Sequence, residues 1–300
     1  MRSLVVAIAL LVLPASVLAQ EAAPPVNPTR LEAAGRLAQA RKAQLDREKK
    51  FEVTTFRGEF RVRLYDYTKP DQPKITDGKL LQYWAVRNDP KKGRQTRYRR
   101  ELKSDATSET LVLASDWDGY AWRRNDAGKK EGPRVALVGR DHEADAADLA
   151  AEKRRVDELF RLFVLESLPV DATTLRMGIR GDKFENRFGR NVETVVADQI
   201  LFRDERGNAF ELWLATGTHQ VVKARIRFHG EERWETFTMA QPQVVPLPDG
   251  GKLTVPANVA YHDEQGRPVL LLSTGEVPAE SFRFNDLGAK ELGKLFPNDE

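Results

Sequence analysis

The side chains able to do chemistry are few and scattered. The histidines are His142, His219, His229 and His262, and no two stand at the spacing that puts both rings on one helical face around a metal ion. His219 and His229 bracket one alternating run, too far apart along an extended strand to share a ligand. All four read as turn histidines at the surface. Cysteine is absent, which excludes thiolate chemistry, sulfur-ligated metals and disulfides together. Ser115 precedes Asp116, but no Gly-x-Ser-x-Gly elbow surrounds it. The glycines from Gly178 to Gly189 lack the Gly-Lys-Ser that cradles a phosphate. Asp145, Asp148, Glu152 and Asp157 suit an exposed helix side, and Asp66, Asp71 and Asp77 suit loops. A catalytic carboxylate pair would have to be assembled from distant strands. The expectation is therefore no catalytic residue, no metal and no cofactor, with a hydrolase built from distant strands as the enzymatic alternative.

Two further patterns point to binding. Arg94-Gln-Thr-Arg-Tyr-Arg-Arg100 is the densest basic run, and its alternation with Glu101 and Asp105 nearby describes a solvated strand face. Arg61, Arg97 and Arg99 are candidates for a polar rim that would suit an anionic lipid surface. The second pattern is apolar. Phe56, Phe60, Val62 and Leu64 fall on one side of a strand, with Arg57, Glu59, Arg61 and Arg63 on the other. Tyr83, Trp84, Trp117, Tyr120 and Trp122 come from the following hairpins, and Phe160 and Phe163 from a helix. If the sheet curls and the helix covers it, these residues meet, either as a filled core or as the lining of a ligand hollow.

The elements that must position them follow from periodicity. Leu31 to Lys50 reads as a surface helix capped by Thr29, with sparse apolar positions at Leu31, Ala34, Leu37, Ala38 and Leu45. From Thr55 the period changes to two. Short β-prone runs follow at 79–86, 94–102, 109–115 and 134–138, bounded by Asp77-Gly78, Asn88-Asp89-Pro90 and Ser104-Asp105. Asp118-Gly119 between aromatic flanks marks a hairpin. Ala144 to Leu168 contains no Gly or Pro and forms an amphipathic helix with Val156, Leu159, Phe160 and Phe163 on one face, ended by Pro169. A further helical turn over 171–177 is expected. Strands resume at 193–203, 209–214, 220–228, 233–240, 254–262 and 269–274, and Phe282 and Phe284 close the set. The Pro-rich stretch 241–251 reads as a loop or an edge cover. The fold class is α+β: a curved antiparallel sheet of about eleven strands with an N-terminal helix and a central helix over its concave face.

The first residues carry an address. Met1-Arg2 supplies positive charge, Leu4 to Leu13 is unbroken apolar, and Val17-Leu18-Ala19 offers small residues for cleavage. The run is shorter than the roughly 20 residues of a bilayer span. This predicts a signal peptide over 1–19, a Pro-rich tether over 20–29, one domain over 30–286 and a tail over 287–300, working in the periplasm. Hydrophobic residues make up 41% of the chain, enough for a core. The formal net charge of +3 is too weak to argue for nucleic acid.

The order of parts resembles a known family. Phe56-Arg-Gly-Glu-Phe60 opens the first strand after the helix, Leu113-Ala-Ser-Asp-Trp-Asp-Gly-Tyr-Ala-Trp122 forms an aromatic hairpin, and Val255-Pro-Ala-Asn-Val259 precedes the Asp263-Glu-Gln-Gly266 hairpin and Phe282. In this combination the chain resembles the LolA-like periplasmic lipoprotein carriers, and within them the outer-membrane lipoprotein-sorting branch. The resemblance implies a half-open β-barrel with helices across its mouth and acyl chains bound in an apolar hollow. It implies a monomer whose partner is a lipid or an acylated protein, with an inner- or outer-membrane protein as a further partner. The family's lid-closing arginine matches no single position here. An envelope regulatory or structural module on the same fold is the alternative function.

Overall fold

The computed structural model describes residues 28–46, 54–69, 72–105, 110–115, 120–125, 135–136, 162, 165, 168–188, 191–274, 282–288 and 290–292. The expected signal peptide, the tether through Asn27 and most of the expected central helix lie outside them.

Among the described residues, the helix α1 (Pro28–Gln44) precedes sixteen strands of a single antiparallel sheet. After the two-residue β1 (Leu45–Asp46) come β2 (Thr55–Asp66), β3 (Lys74–Asp89), β4 (Gly93–Ser104), β5 (Thr110–Ser115), β6 (Tyr120–Asn125) and β7 (Val135–Ala136). β1 pairs with the distant β14, and from β3 to β7 each strand pairs with its predecessor, so the first half is a meander. The second half runs back the other way. It comprises β8 (Arg176–Met177), β9 (Asp182–Phe188), β10 (Asn191–Arg203), β11 (Ala209–Ala215), β12 (Val221–Arg227), β13 (Glu235–Pro246), β14 (Lys252–His262) and β15 (Pro268–Ser273). Pairing of β15 with β2, Leu270 to Leu64 and Leu272 to Val62, joins the halves into one open sheet. β16 (Phe282–Phe284) takes the stretch of β2 that β15 leaves bare, placing Phe284 opposite Phe56.

The strand count exceeds the expectation for identifiable reasons. Asp77-Gly78 does not end a strand: β3 runs through it. Gly78 is needed there because an added Cβ would lie 2.4 Å from the Lys103 carbonyl oxygen on β4. The Pro-rich stretch is also strand. β13 pairs with β14 from Thr236 to Pro246, and Pro242 and Pro246 fall where β12 no longer flanks it, so their missing N–H groups cost no ladder bond. Residues 171–177 make a turn and then β8, not a helical turn. α1 begins at Pro28, whose missing N–H is harmless in a first turn, so Thr29 lies inside the helix.

One large core lies on the inner face of the sheet, under α1. Alternation along β2 sends Phe56, Phe60 and Val62 inward. The rings of Phe56 and Phe60 crowd over Gly58, where any Cβ would overlap both. The outer face carries smaller clusters. Leu287 and Leu292 pack against Tyr83 and Leu81, so the segment expected to be a tail begins with a core contact.

His262 illustrates the outer face of β14. Its Nδ1 lies 3.2 Å from the Gly266 carbonyl oxygen, and its Nε2 lies 2.9 Å from Thr238 Oγ1. A carbonyl only accepts, so Nδ1 carries the proton and Nε2 accepts from the hydroxyl. Burial pushes its pKa below the usual 6.5, and the charge of Lys223 adds to this. The unfolded chain therefore takes up the proton first as pH falls. The contribution of the neutral ring is complete above the unfolded pKa and is lost below it. Thermal melts between pH 7.5 and about 5.5 are expected to show a larger fall in wild type than in His262→Gln; equal falls would contradict this reading.

Candidate functional site

The site is built around α1. Its buried stripe is Ala33, Leu37, Ala40 and Gln44, the i, i+4, i+7, i+11 pattern of one helical face. This differs from the expected apolar positions: Leu31, Ala34 and Ala38 are exposed. Alanine at two stripe positions lets the helix approach the sheet closely. Arg36 reaches Asp198 on β10 at 3.0 Å, and Asp198, nearly buried, also accepts the Gly181 N–H at 3.0 Å. Arg180 holds Glu32 near the start of the helix and lowers the pKa of that carboxyl.

The last turn of α1 grips the stretch that bears Leu162, Leu165 and Leu168. Arg41 donates through Nε to the Leu165 carbonyl at 3.2 Å and through a terminal nitrogen to the Leu168 carbonyl at 3.1 Å. Gln44 donates to the Leu162 carbonyl at 3.1 Å and accepts the Leu165 N–H at 2.6 Å. These are four side-chain-to-backbone bonds, each worth about 1 kcal/mol net. The three leucines themselves are buried in the main core.

Beside this clip lies a cleft of about 400 Å³. It opens where β12 begins. β13 pairs with β12 only up to Thr238, and among the described residues no strand covers it beyond that point on this side. The Met239 carbonyl there accepts from Asn186 Nδ2 of β9 at 2.8 Å. Gln241 departs from the regular strand with a φ of 54° and drops out of the ladder to β14, although its neighbours keep register. Apolar walls come from Ala40, Leu162, Leu165, Val221, Met239 and Val255. Gln44, Thr194, Gln220 and Gln241 add polar groups, and Val196 also lines the space with its side chain partly in solvent. Chemically this is a mainly apolar hollow, partly open to solvent, edged by neutral hydrogen-bonding groups and by the Glu193 carboxylate. Among the described residues no three His, Asp or Glu side chains converge as a metal site would require.

The residues expected to line a hollow lie elsewhere. Phe56, Phe60, Val62 and Trp84 are buried on the inner face, and Leu64 packs partly buried against them. Phe56 and Phe60 meet Phe282 at 6.0 and 5.3 Å between ring centroids, and Phe56 meets Phe284 at 5.0 Å. None of these side chains lines the cleft. Tyr83 requires a correction. It is adjacent to Trp84 in a strand, so the pleat sends it to the outer face, against Leu287. Trp117, Phe160 and Phe163 lie outside the described residues, as do the side chains of Tyr120 and Trp122. The three rim candidates lie on one face. Arg61, Arg97 and Arg99 share the outer face by register; Arg97 is buried there, and Arg99 pairs with Glu101 at 2.6 Å. Burial depresses the Arg97 pKa to about 10, with the neighbouring Arg87 adding to the effect. The residues that sequence reasoning missed are Arg41, Gln44, Leu162, Leu165, Val221, Met239 and Val255. The available signal was the alanine-rich stripe ending in Gln44.

No family model and no curated protein matches the sequence. Solved structures do match. One is described as an outer membrane lipoprotein-sorting protein domain from Vibrio parahaemolyticus: 13% identity, 87% of this chain, 97% of that one, TM-score 0.42. A DUF1329 family protein from Desulfovibrio piger matches at 8% identity over 88% of this chain and 96% of the other, TM-score 0.46. A LolA superfamily protein from Nitrosomonas europaea matches at 11% identity over 86% and 96%, TM-score 0.40. The chain's own strand order gives an open curved antiparallel sheet with a helix on the inner face. Among the described residues no helix is long and apolar enough to cross a membrane.

Proposed function

We propose that the protein is an extracytoplasmic binder or carrier of an acyl chain, belonging to a lipid or to a lipid-modified protein, and that the chain lies in the cleft beside α1. The observation that carries this reading is an apolar cleft of about 400 Å³ next to a segment held by side-chain hydrogen bonds. That volume falls within the roughly 300–1,000 Å³ of small-molecule sites. The energetics are balanced for uptake and release. About ten buried methylenes contribute roughly 8 kcal/mol. Breaking the four bonds from Arg41 and Gln44 costs about 4 kcal/mol. The difference supports moderate affinity, which a carrier needs in order to unload. The apolar run of the first residues supports export to the periplasm.

The test is a titration of delipidated mature protein with a fluorescent long-chain fatty acid. Saturable uptake of one equivalent is expected. Absence of uptake by protein that melts cooperatively would overturn the proposal.

A further inference from the structure

The outer face of β2, β3 and β4 carries a feature that the cleft does not use. Register places Arg61 opposite Lys79, and Lys79 opposite Lys103, so three cations form a row across three neighbouring strands. All three are exposed. Like charges directly opposite each other destabilise a sheet. The acids nearby do little to relieve them. Asp77 is engaged by Arg63 at 2.7 Å, Glu101 by Arg99 at 2.6 Å, and Glu59 lies 3.9 Å from Arg57. Asp105 lies 3.8 Å from Arg61, leaving Lys79 and Lys103 without an ion-pair partner among the described residues.

We propose that this row is a docking surface for an anionic lipid bilayer. The arrangement favours a planar partner. The cations stand on the exposed face of adjacent strands, about 4.8 Å apart per strand. None of the three lines the cleft beside α1. Two of the three are lysines, which act as point charges toward a phosphate-rich surface and not as bidentate forks. The row lies on the face opposite the one that carries the core and α1. This proposal does not rest on acyl-chain binding.

The experiment is co-sedimentation of the mature protein with phosphatidylcholine vesicles, with and without about 30% phosphatidylglycerol, at low and physiological salt. Binding is expected only with phosphatidylglycerol, and it should weaken with salt. Each cation near such a surface is worth about five-fold in partitioning, so the triple Arg61→Gln, Lys79→Gln, Lys103→Gln should lose about 100-fold. A triple at exposed positions elsewhere, Lys183→Gln, Arg206→Gln, Lys252→Gln, removes the same charge and should lose far less. Asp105→Asn frees Arg61 and should bind several-fold more tightly, a readout that stands even if the first triple does not fold. No binding to the charged vesicles, equal losses in both triples, or recovery of an acidic protein by a chain that ignores vesicles would each overturn the proposal.

Discussion

Val196→Trp is expected to weaken fatty-acid binding by about 100-fold while leaving the fold intact. Val196 is 36% exposed, so a larger side chain there meets solvent and the open space of the cleft instead of a packed core. An indole in the cleft takes the place of about four methylenes of the ligand. At about 0.8 kcal/mol each this is roughly 3 kcal/mol, a change on the order of 100-fold in Kd. The backbone of the position is not disturbed, since its carbonyl continues to accept the Thr216 N–H at 3.0 Å. Isothermal titration together with a thermal melt checks both halves. Unchanged affinity in a folded variant would place the ligand somewhere else.

Phe284→Ala is expected to cost about 3–5 kcal/mol of stability. Phe284 is 1% exposed and closes an aromatic cluster with Phe56 and Phe282. It comes from the last strand, β16, whose pairing with β2 is the only cover for that part of the edge among the described residues. Asn285 secures the same end: its side-chain oxygen accepts from the Thr54 N–H at 2.7 Å and the Thr55 N–H at 3.2 Å. Truncating Phe284 leaves a cavity that these fixed strands cannot collapse around. Denaturant unfolding measures the loss. None of these residues lines the cleft, so fatty-acid affinity per folded molecule should not change. A parallel loss of affinity would mean that the aromatic cluster, not the cleft, holds the ligand.

The two variants separate what was legible in the sequence from what was not. The period of two in β2 announced its inward residues, and the meander order followed from turn signals. β8 and β9 are hidden among glycines, and the second half of β13 behind Pro242 and Pro246. A proline on an uncovered edge costs nothing in the structure, yet locally it reads as a break. The Tyr83–Trp84 pair reads as one aromatic patch, but a pleated strand divides neighbours between faces. The cleft was illegible for a topological reason. Ala40, Leu162, Val221, Met239 and Val255 share no motif and no period; the pairing of β12, β13 and β14 and the packing of α1 with the Leu162 stretch against them bring them together. Arg41 looked like one more surface cation on an arginine- and lysine-rich helix. Its partners are two carbonyls more than a hundred residues away.

The most direct measurement is photolabelling with a fatty acid that carries a diazirine near its methyl end, followed by peptide mapping of the cross-links. Labels are expected on Val221, Met239, Val255 or Leu165, and competition by unlabelled fatty acid should remove them. Labels concentrated on Phe56, Phe60 or Trp84, with the cleft residues unmarked, would contradict the account.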